Sequence, residues 1–142
     1  MKRFYNNILG NKEVADAITI AEKLFMPDSP MMIELKAKND WKYNSGTGEE
    51  VFKKITECTK IAPVFMYKSK WFWSAALGYS DGKSIYINSR KFGSLDKAEL
   101  IGLLLHEAAH MCGFSHANNY KTEDKVKFSV PYYVSENIVK WL

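Results

Sequence analysis

The chain lacks the features that mark several large classes of protein. It has only two cysteines among 142 residues, Cys58 and Cys112, which is too few for a disulfide framework. We therefore expect Cys112 to serve as a small, buried apolar residue. No stretch approaches about 18 consecutive apolar residues, so the sequence predicts no membrane span.

The charged residues are scattered and form no block. The formal net charge of +4 comes mainly from lysines distributed along the chain, and without a basic cluster we expect no nucleic-acid partner. Lys2 and Arg3 open the chain as in a signal peptide, but polar residues such as Asn6 and Asn7 interrupt the apolar segment that should follow. We therefore expect a cytoplasmic protein with one globular domain over residues 1–142.

All three histidines of the chain fall within eleven residues that read HEAAHMCGFSH. On a helix, His106 and His110 lie on one face with their Cβ atoms about 6 Å apart, close enough to bind one metal ion. Gly113 permits the left-handed turn that commonly ends a helix, so the chain can reverse and bring His116 to the same ion. Three neutral imidazoles leave the fourth tetrahedral position for water, as in catalytic zinc sites. The segment predicts a zinc hydrolase site in which Glu107 is the general base.

The apolar periodicity and the capping residues predict four helices. Residues Asn11–Met26 have the spacing of an amphipathic helix, and Thr47 with the two glutamates that follow Gly48 predicts a helix that ends at about Thr59. Ser94 is the expected N-cap of a long, mostly apolar helix that runs to about Cys112 through the core. A short helix over Val134–Leu142 closes the chain.

Four segments have the pattern of strands. Alternating apolar and charged residues predict a half-buried strand over Met31–Lys38. Pro63–Tyr67 and Trp71–Tyr79 are two more, and the latter reverses at the turn dipeptide Asp81-Gly82 into an antiparallel partner, Lys83–Asn88.

The eleven-residue segment resembles the H-E-x-x-H-x-x-G-x-x-H motif of the metzincin clan of zinc metallopeptidases. The resemblance implies an α+β, zincin-like fold. Such a fold has a small mixed, twisted sheet packed on a long active-site helix, with a C-terminal helical subdomain that is minimal here. It also implies that His106, His110 and His116 bind Zn²⁺ and that Glu107 is the general base for hydrolysis of a peptide or protein substrate. A substrate strand would pair with an exposed sheet edge near Ser74–Tyr79.

The chain departs from the metzincin pattern after the third histidine. Metzincins place a methionine in a tight turn beneath the metal, whereas no methionine follows Met111 here. The segment Ser129–Tyr133 is the candidate for that place. Its two tyrosines, Tyr133 or Tyr132, are candidates to donate a hydrogen bond to the oxyanion of the reaction, with packing as the alternative role for both.

Another zincin arrangement also has candidate residues in this chain. In gluzincins the third ligand is a glutamate on a downstream helix, and Glu136 could take that part in place of His116. That arrangement leaves Gly113 and His116 without a role.

Three functions stay open at this point. The favoured one is a zinc metallopeptidase, and the second is a zinc amidase that acts on cell-wall peptides, with Trp41, Trp71 and Trp73 lining a glycan groove. The third is a non-catalytic binding protein with a structural zinc. The general base Glu107 counts against the third function, because a purely structural site has no use for it. For Trp71 and Trp73, packing within the protein is the alternative to binding a ligand.

Overall fold

The computed structural model describes residues 2–43, 45–70, 77–116 and 122–142. Within these ranges the protein is a mixed α+β structure with a small sheet and several helices. The strands are β1 (Phe4–Asn6), β2 (Ala62–Tyr67), β3 (Gly78–Ser80) and β4 (Ile85–Asn88). The helices are α1 (Lys12–Leu24), α2 (Pro30–Ala37), α3 (Gly48–Thr56), α4 (Ser89–Phe92), α5 (Lys97–Met111), α6 (Glu123–Phe128) and α7 (Val130–Glu136), followed by a 3₁₀ turn (Ile138–Trp141).

The described strands form one mixed sheet in the order β1-β2-β4-β3. β1 and β4 lie parallel to β2 on its two sides, and β3 is antiparallel to β4 at the edge of the sheet. The predicted turn at Asp81-Gly82 is confirmed: the Asp81 carboxylate accepts the backbone N–H groups of Lys83 and Ser84 at 2.9 and 2.8 Å, and Gly82 has a φ of +85°. This turn joins β3, the antiparallel strand at the edge of the sheet, to β4.

The predicted strands agree with the sheet in part. Pro63–Tyr67 and Lys83–Asn88 correspond to β2 and β4. The end of the predicted strand Trp71–Tyr79 forms β3, and its residues 71–76 lie outside the described ranges. The short strand β1 was not predicted, because three residues are too few to show an alternating pattern.

The helices predicted at Asn11 and Thr47 are confirmed. Asn11 caps α1 by accepting the N–H of Val14 at 3.0 Å, and Thr47 caps α3 by accepting the N–H of Glu50 at 3.2 Å. Helix α3 ends at Thr56, three residues before the predicted end. Both helices bury the apolar stripe that predicted them.

The strand predicted over Met31–Lys38 is wrong, because this segment forms helix α2. Ser29 is its N-cap and accepts the N–H of Met32 at 3.1 Å, while Pro30 occupies the first helical turn, where its missing N–H costs nothing. Met31, Met32 and Leu35 are fully buried, and their spacing fits a helical face as well as an alternating strand. The capping signal decided between the two.

Helix α5 runs through the core, as the sequence predicts. Leu104 and Leu105, in its middle, have no exposed surface. Its N-cap is Asp96 rather than the predicted Ser94: Asp96 accepts the N–H of Glu99 at 2.8 Å, and the Glu99 carboxylate accepts the N–H of Asp96 at 3.3 Å. This reciprocal pair is a capping box and starts the helix at Lys97.

Two glycines let other elements approach α5 closely. A Cβ at Gly102 would lie 3.1 Å from the carbonyl oxygen of Ser135 in α7, and a Cβ at Gly78 would overlap the carbonyl oxygen of Tyr86 while touching Leu103. Helix α7 and strand β3 therefore both pack tightly against α5.

The C-terminal helix starts earlier than the predicted Val134. Helix α7 begins at Val130, because Pro131 is well tolerated in a first helical turn. None of the helices in the described ranges is both long and apolar enough to cross a membrane.

Candidate metal centre

The helix α5 presents two of the three histidines side by side. His106 and His110 are four residues apart, and their ring centroids are separated by 4.9 Å. Their Nε2 atoms lie only 3.2 Å apart. The helical spacing thus brings the two nitrogens to one point, as predicted.

A glycine turn ends α5 and brings in the third histidine. Gly113 has a φ of +95°, its N–H donates to His110 O at 2.9 Å, and the N–H of Phe114 donates to Ala109 O at 3.1 Å. This pair of bonds is a Schellman motif, in which a left-handed glycine follows the C-cap. The chain reverses there, and His116 Nε2 comes within 3.1 Å of His110 Nε2.

The three imidazoles are close enough together to hold one metal ion. Ligand atoms of His106, His110 and His116 all lie within 4.8 Å of one another. Nitrogen ligands about 2.0–2.1 Å from a tetrahedral ion are about 3.3 Å from each other, close to the two Nε2 distances above. The cluster can therefore hold a metal ion.

Backbone contacts orient two of these rings. His110 Nδ1 lies 2.9 Å from the carbonyl oxygen of Phe114, and because a carbonyl only accepts, Nδ1 carries the proton and Nε2 keeps its lone pair. His106 has a hydrogen bond with the backbone of Pro131. Such outer contacts fix the tautomer and the ring angle of metal-binding histidines. The sequence did not identify Phe114 and Pro131, since a backbone acceptor has no residue-type signal.

Burial keeps two of the histidines, His106 and His110, neutral. It lowers the pKa of His106 to about 3, and the neighbouring His110 and His116 add to this effect. Burial also lowers the pKa of His110. Neutral imidazole is the form that binds a metal ion, so the site is ready for metal at any pH near neutrality.

The carboxylate of Glu107 lies beside the cluster in a buried position. Its side chain is only 8% exposed and lines the same cavity as His106. Among the described residues it has no hydrogen-bond partner, and burial raises its pKa to about 7. A carboxyl with this pKa can both accept and release a proton near neutral pH.

The two candidate tyrosines have separate places. The ring centroid of Tyr132 lies 4.8 Å from that of His106 and 4.5 Å from that of His116. Tyr133 instead donates a hydrogen bond of 2.6 Å to the Glu34 carboxylate and packs edge-on against Trp41 at 5.2 Å. The structure thus places Tyr132 at the histidines and gives Tyr133 a packing contact elsewhere.

Two other predicted site residues lie apart from the cluster. Glu136, the alternative third ligand, does not belong to the group of close ligand atoms, although it lines the adjoining cavity. Trp41 is only 8% exposed, so it does not line an open glycan groove. Trp71 and Trp73 lie outside the described ranges.

A disulfide joins the end of α5 to the end of α3. Cys58 and Cys112 are bonded, with Cα atoms 5.6 Å apart, which corrects the expectation that Cys112 is a free buried residue. Cys112 is the C-cap of α5 and directly precedes Gly113, so the bond secures the turn that leads to His116. Disulfides are typical of oxidising compartments, which runs against the expectation of a cytoplasmic protein.

A cavity of about 580 Å³ opens beside the histidines. It is bounded by one face of α5, by the start of β3, and by α7 with the following 3₁₀ turn. His106, Glu107 and Tyr132 line it where it meets the metal cluster. The cavity is large enough to take part of a substrate.

Comparison with known proteins yields no relative: no family model, no curated protein and no solved structure matches the chain.

Proposed function

We propose that this protein is a zinc-dependent metallopeptidase with a zincin-like arrangement of its active site. The observation that carries the proposal is the convergence of three imidazole Nε2 atoms beside the buried carboxylate of Glu107, at one end of an open cavity. All-nitrogen ligation with tetrahedral spacing favours zinc among the common metals. A bound zinc ion would acidify a water molecule toward a pKa of about 7 and would polarise the scissile carbonyl.

The chain's own residues supply the remaining steps. Glu107 accepts the proton of the attacking water and later delivers it to the leaving amine, which its pKa of about 7 permits. His106 and His110 stay neutral because burial lowers their pKa values. The phenol of Tyr132, beside two of the histidines, is placed to donate a hydrogen bond to the oxyanion.

The sheet edge offers a place for the substrate. Strand β3 lies at the edge, and its first residue, Gly78, lines the same cavity as Glu107. An extended peptide can pair with the backbone of such an edge while its side chains enter the adjacent pocket. The Ser129–Tyr133 segment lies against the histidines through Pro131 and Tyr132, which supports the comparison with the metal-supporting turn of metzincins.

A purely structural zinc is less consistent with this site. A structural site has no need of Glu107, and keeping this mostly buried residue ionised is costly, because burial raises its pKa to about 7. Such a cost is typical of a group retained for chemistry.

Cleavage of a mixed peptide library by the zinc-loaded protein, followed by mass spectrometry, tests the proposal. We expect cleavage that stops on chelation and falls by at least about 100-fold in Glu107→Gln, which should still bind zinc. The matched control is Glu13→Gln, an exposed carboxylate in the first turn of α1 and outside the cavity, which should leave cleavage unchanged. Full activity in Glu107→Gln, or no cleavage with one zinc bound, would contradict the proposal.

A further inference from the structure

The cavity beside the metal cluster has a charge opposite to that of the chain as a whole. Four carboxylates line it, from Asp96, Glu99, Glu107 and Glu136, and no lysine or arginine within the described ranges does. The full chain has 20 Lys and Arg residues against 16 Asp and Glu. We call this cavity the acidic pocket.

The walls of the acidic pocket are apolar between its carboxylates. Leu77, Leu103, Ile138 and Val139 contribute to them. An apolar wall with acidic groups at the rim matches a side chain that has a hydrocarbon stem and a cationic end. It matches a short polar or anionic side chain poorly.

The carboxylates are arranged along two helices that lead away from the histidines. Glu99 lies seven residues before His106, which is about 10 Å along the axis of α5. Glu136 lies one helical turn after Tyr132, whose ring contacts His106 and His116. A leucine-sized side chain seated beside His106 would not extend to Glu99, whereas a longer one approaches it.

The pocket also contains a buried polar group that points to a ligand. Glu107 is 8% exposed, lines the pocket and has no hydrogen-bond partner among the described residues. Its carboxylate is therefore available to a substrate group or water at the inner end of the pocket, beside His106.

We propose that the acidic pocket selects a lysine or arginine side chain on the substrate residue adjacent to the scissile bond. The inference that this residue is adjacent to the scissile bond rests on the proposed peptidase function. The inference that the pocket binds a cationic side chain does not depend on that function. Glu99 and Glu136 provide the charge that attracts the cationic end, and Leu103 and Ile138 contact the stem. Attraction by exposed carboxylates weakens with added salt, so the selectivity falls as ionic strength rises.

Binding of small probes tests the pocket without any catalysis. In ¹⁵N NMR titrations of the whole protein, Nα-acetyl-L-argininamide should shift the amide signals of Gly78, Gly102 and Val139. It should bind at least about fivefold more tightly than Nα-acetyl-L-norleucinamide, which has the stem without the charge. Equal affinity for the two probes, or shifts elsewhere in the protein, would overturn the proposal.

Variants identify the carboxylates responsible. Glu99→Gln removes the charge but keeps a side chain that can complete the capping box, and Glu136→Gln removes the charge on α7. Each should weaken argininamide binding about two- to fivefold and leave norleucinamide binding unchanged. The control is Asp28→Asn, which removes an exposed carboxylate outside the pocket and should change neither. Unchanged argininamide binding in both pocket variants would overturn the proposal.

Cleavage profiling then separates the pocket from the proposed function. If peptides are cleaved, cleavage sites should be enriched in Lys or Arg beside the scissile bond, and Glu136→Lys should remove that enrichment. Selective argininamide binding without cleavage would support the pocket and contradict the peptidase. Cleavage without basic enrichment, together with equal probe binding, would overturn the pocket and leave the peptidase standing.

Discussion

His110 donates a hydrogen bond of 2.9 Å from Nδ1 to the backbone carbonyl of Phe114. Phe114 also donates its N–H to Ala109 within the Schellman motif, so one residue both closes the helix and fixes the tautomer of a metal ligand. The turn around Gly113 and the metal centre are therefore a single local structure. A change in the turn should alter metal binding.

Gly113→Ala tests this coupling. Gly113 has a φ of +95°, and a Cβ there would lie 3.1 Å from Lys54 Cε. We expect the free energy of unfolding to fall by about 1–2 kcal/mol and zinc affinity to fall at least about tenfold, because the turn positions His116. Urea unfolding and zinc competition titrations measure the two effects.

The control for that variant is Gly10→Ala. Gly10 has a φ of +72° and no neighbouring atom that an added Cβ would meet, so it carries a similar backbone cost far from the histidines. It should lose stability without losing zinc affinity. Equal zinc affinity in both variants would show that the turn does not position the ligand.

The two neighbouring tyrosines should respond differently to loss of the hydroxyl. Tyr132→Phe should lower kcat by about 100-fold with little change in zinc content, because it removes a donor to the oxyanion. Tyr133→Phe should leave kcat unchanged but lower stability by about 1–2 kcal/mol, since it removes the bond to Glu34. Steady-state kinetics and unfolding curves of both variants measure this. An unchanged kcat in Tyr132→Phe would leave that ring with a packing role only.

The disulfide should contribute strongly to stability. Cys58 and Cys112 are 54 residues apart in sequence, and closing a loop of that length stabilises a fold by about 4 kcal/mol through the entropy of the unfolded chain. Urea unfolding of the zinc-free protein with and without reductant should differ by about that amount. Two free thiols in the denatured, unreduced protein would show that the bond does not form.

The pH dependence of stability should identify the buried carboxyl of Glu107. Burial raises its pKa from 4.5 to about 7 in the folded protein. Ionisation of the carboxyl therefore begins to disfavour folding as the pH rises above about 4.5, and the full effect is reached above about pH 7. A pKa difference of this size between the unfolded and the folded protein corresponds to about 3 kcal/mol in the free energy of unfolding. Zinc-free Glu107→Gln should thus be more stable than the wild type by about 3 kcal/mol at about pH 8.

At about pH 4.5 the two proteins should be nearly equal in stability. His106 has the opposite dependence, because its pKa is lowered to about 3 and its contribution is lost as the pH falls below 6.5. It affects the variant and the wild type alike, so it cancels in the difference. A stability difference that does not change with pH would mean that the Glu107 carboxyl is well solvated.

Short-range signals in the sequence correctly predicted the local structures that depend on only a few neighbouring residues. The helical spacing of His106 and His110, the cap at Thr47 and the turn at Asp81-Gly82 all act over four residues or fewer, and each is confirmed. The prediction of a strand over Met31–Lys38 was wrong because the spacing of its apolar residues fits both a helix and a strand. The cap at Ser29, followed by Pro30 in the first turn, was the signal that decides for the helix.

Long-range features could not be predicted in the same way. The disulfide joins residues 54 apart, and spacing alone does not show that two cysteines meet in the fold. The order of Tyr132 and Tyr133 in chain sequence likewise does not show which ring faces the histidines, since that depends on where α7 begins. The acidic pocket combines carboxylates from two helices that meet only in the folded protein.

The most direct test of the account is the zinc content of the purified, zinc-loaded protein, measured by elemental analysis for the wild type, His116→Ala and Glu136→Ala. We expect one zinc per chain in the wild type and in Glu136→Ala, and a large loss in His116→Ala, because the imidazole of His116 completes the ligand set. Retention of zinc in His116→Ala with loss in Glu136→Ala would contradict the three-histidine centre. A wild type that binds no zinc would contradict the proposed function itself.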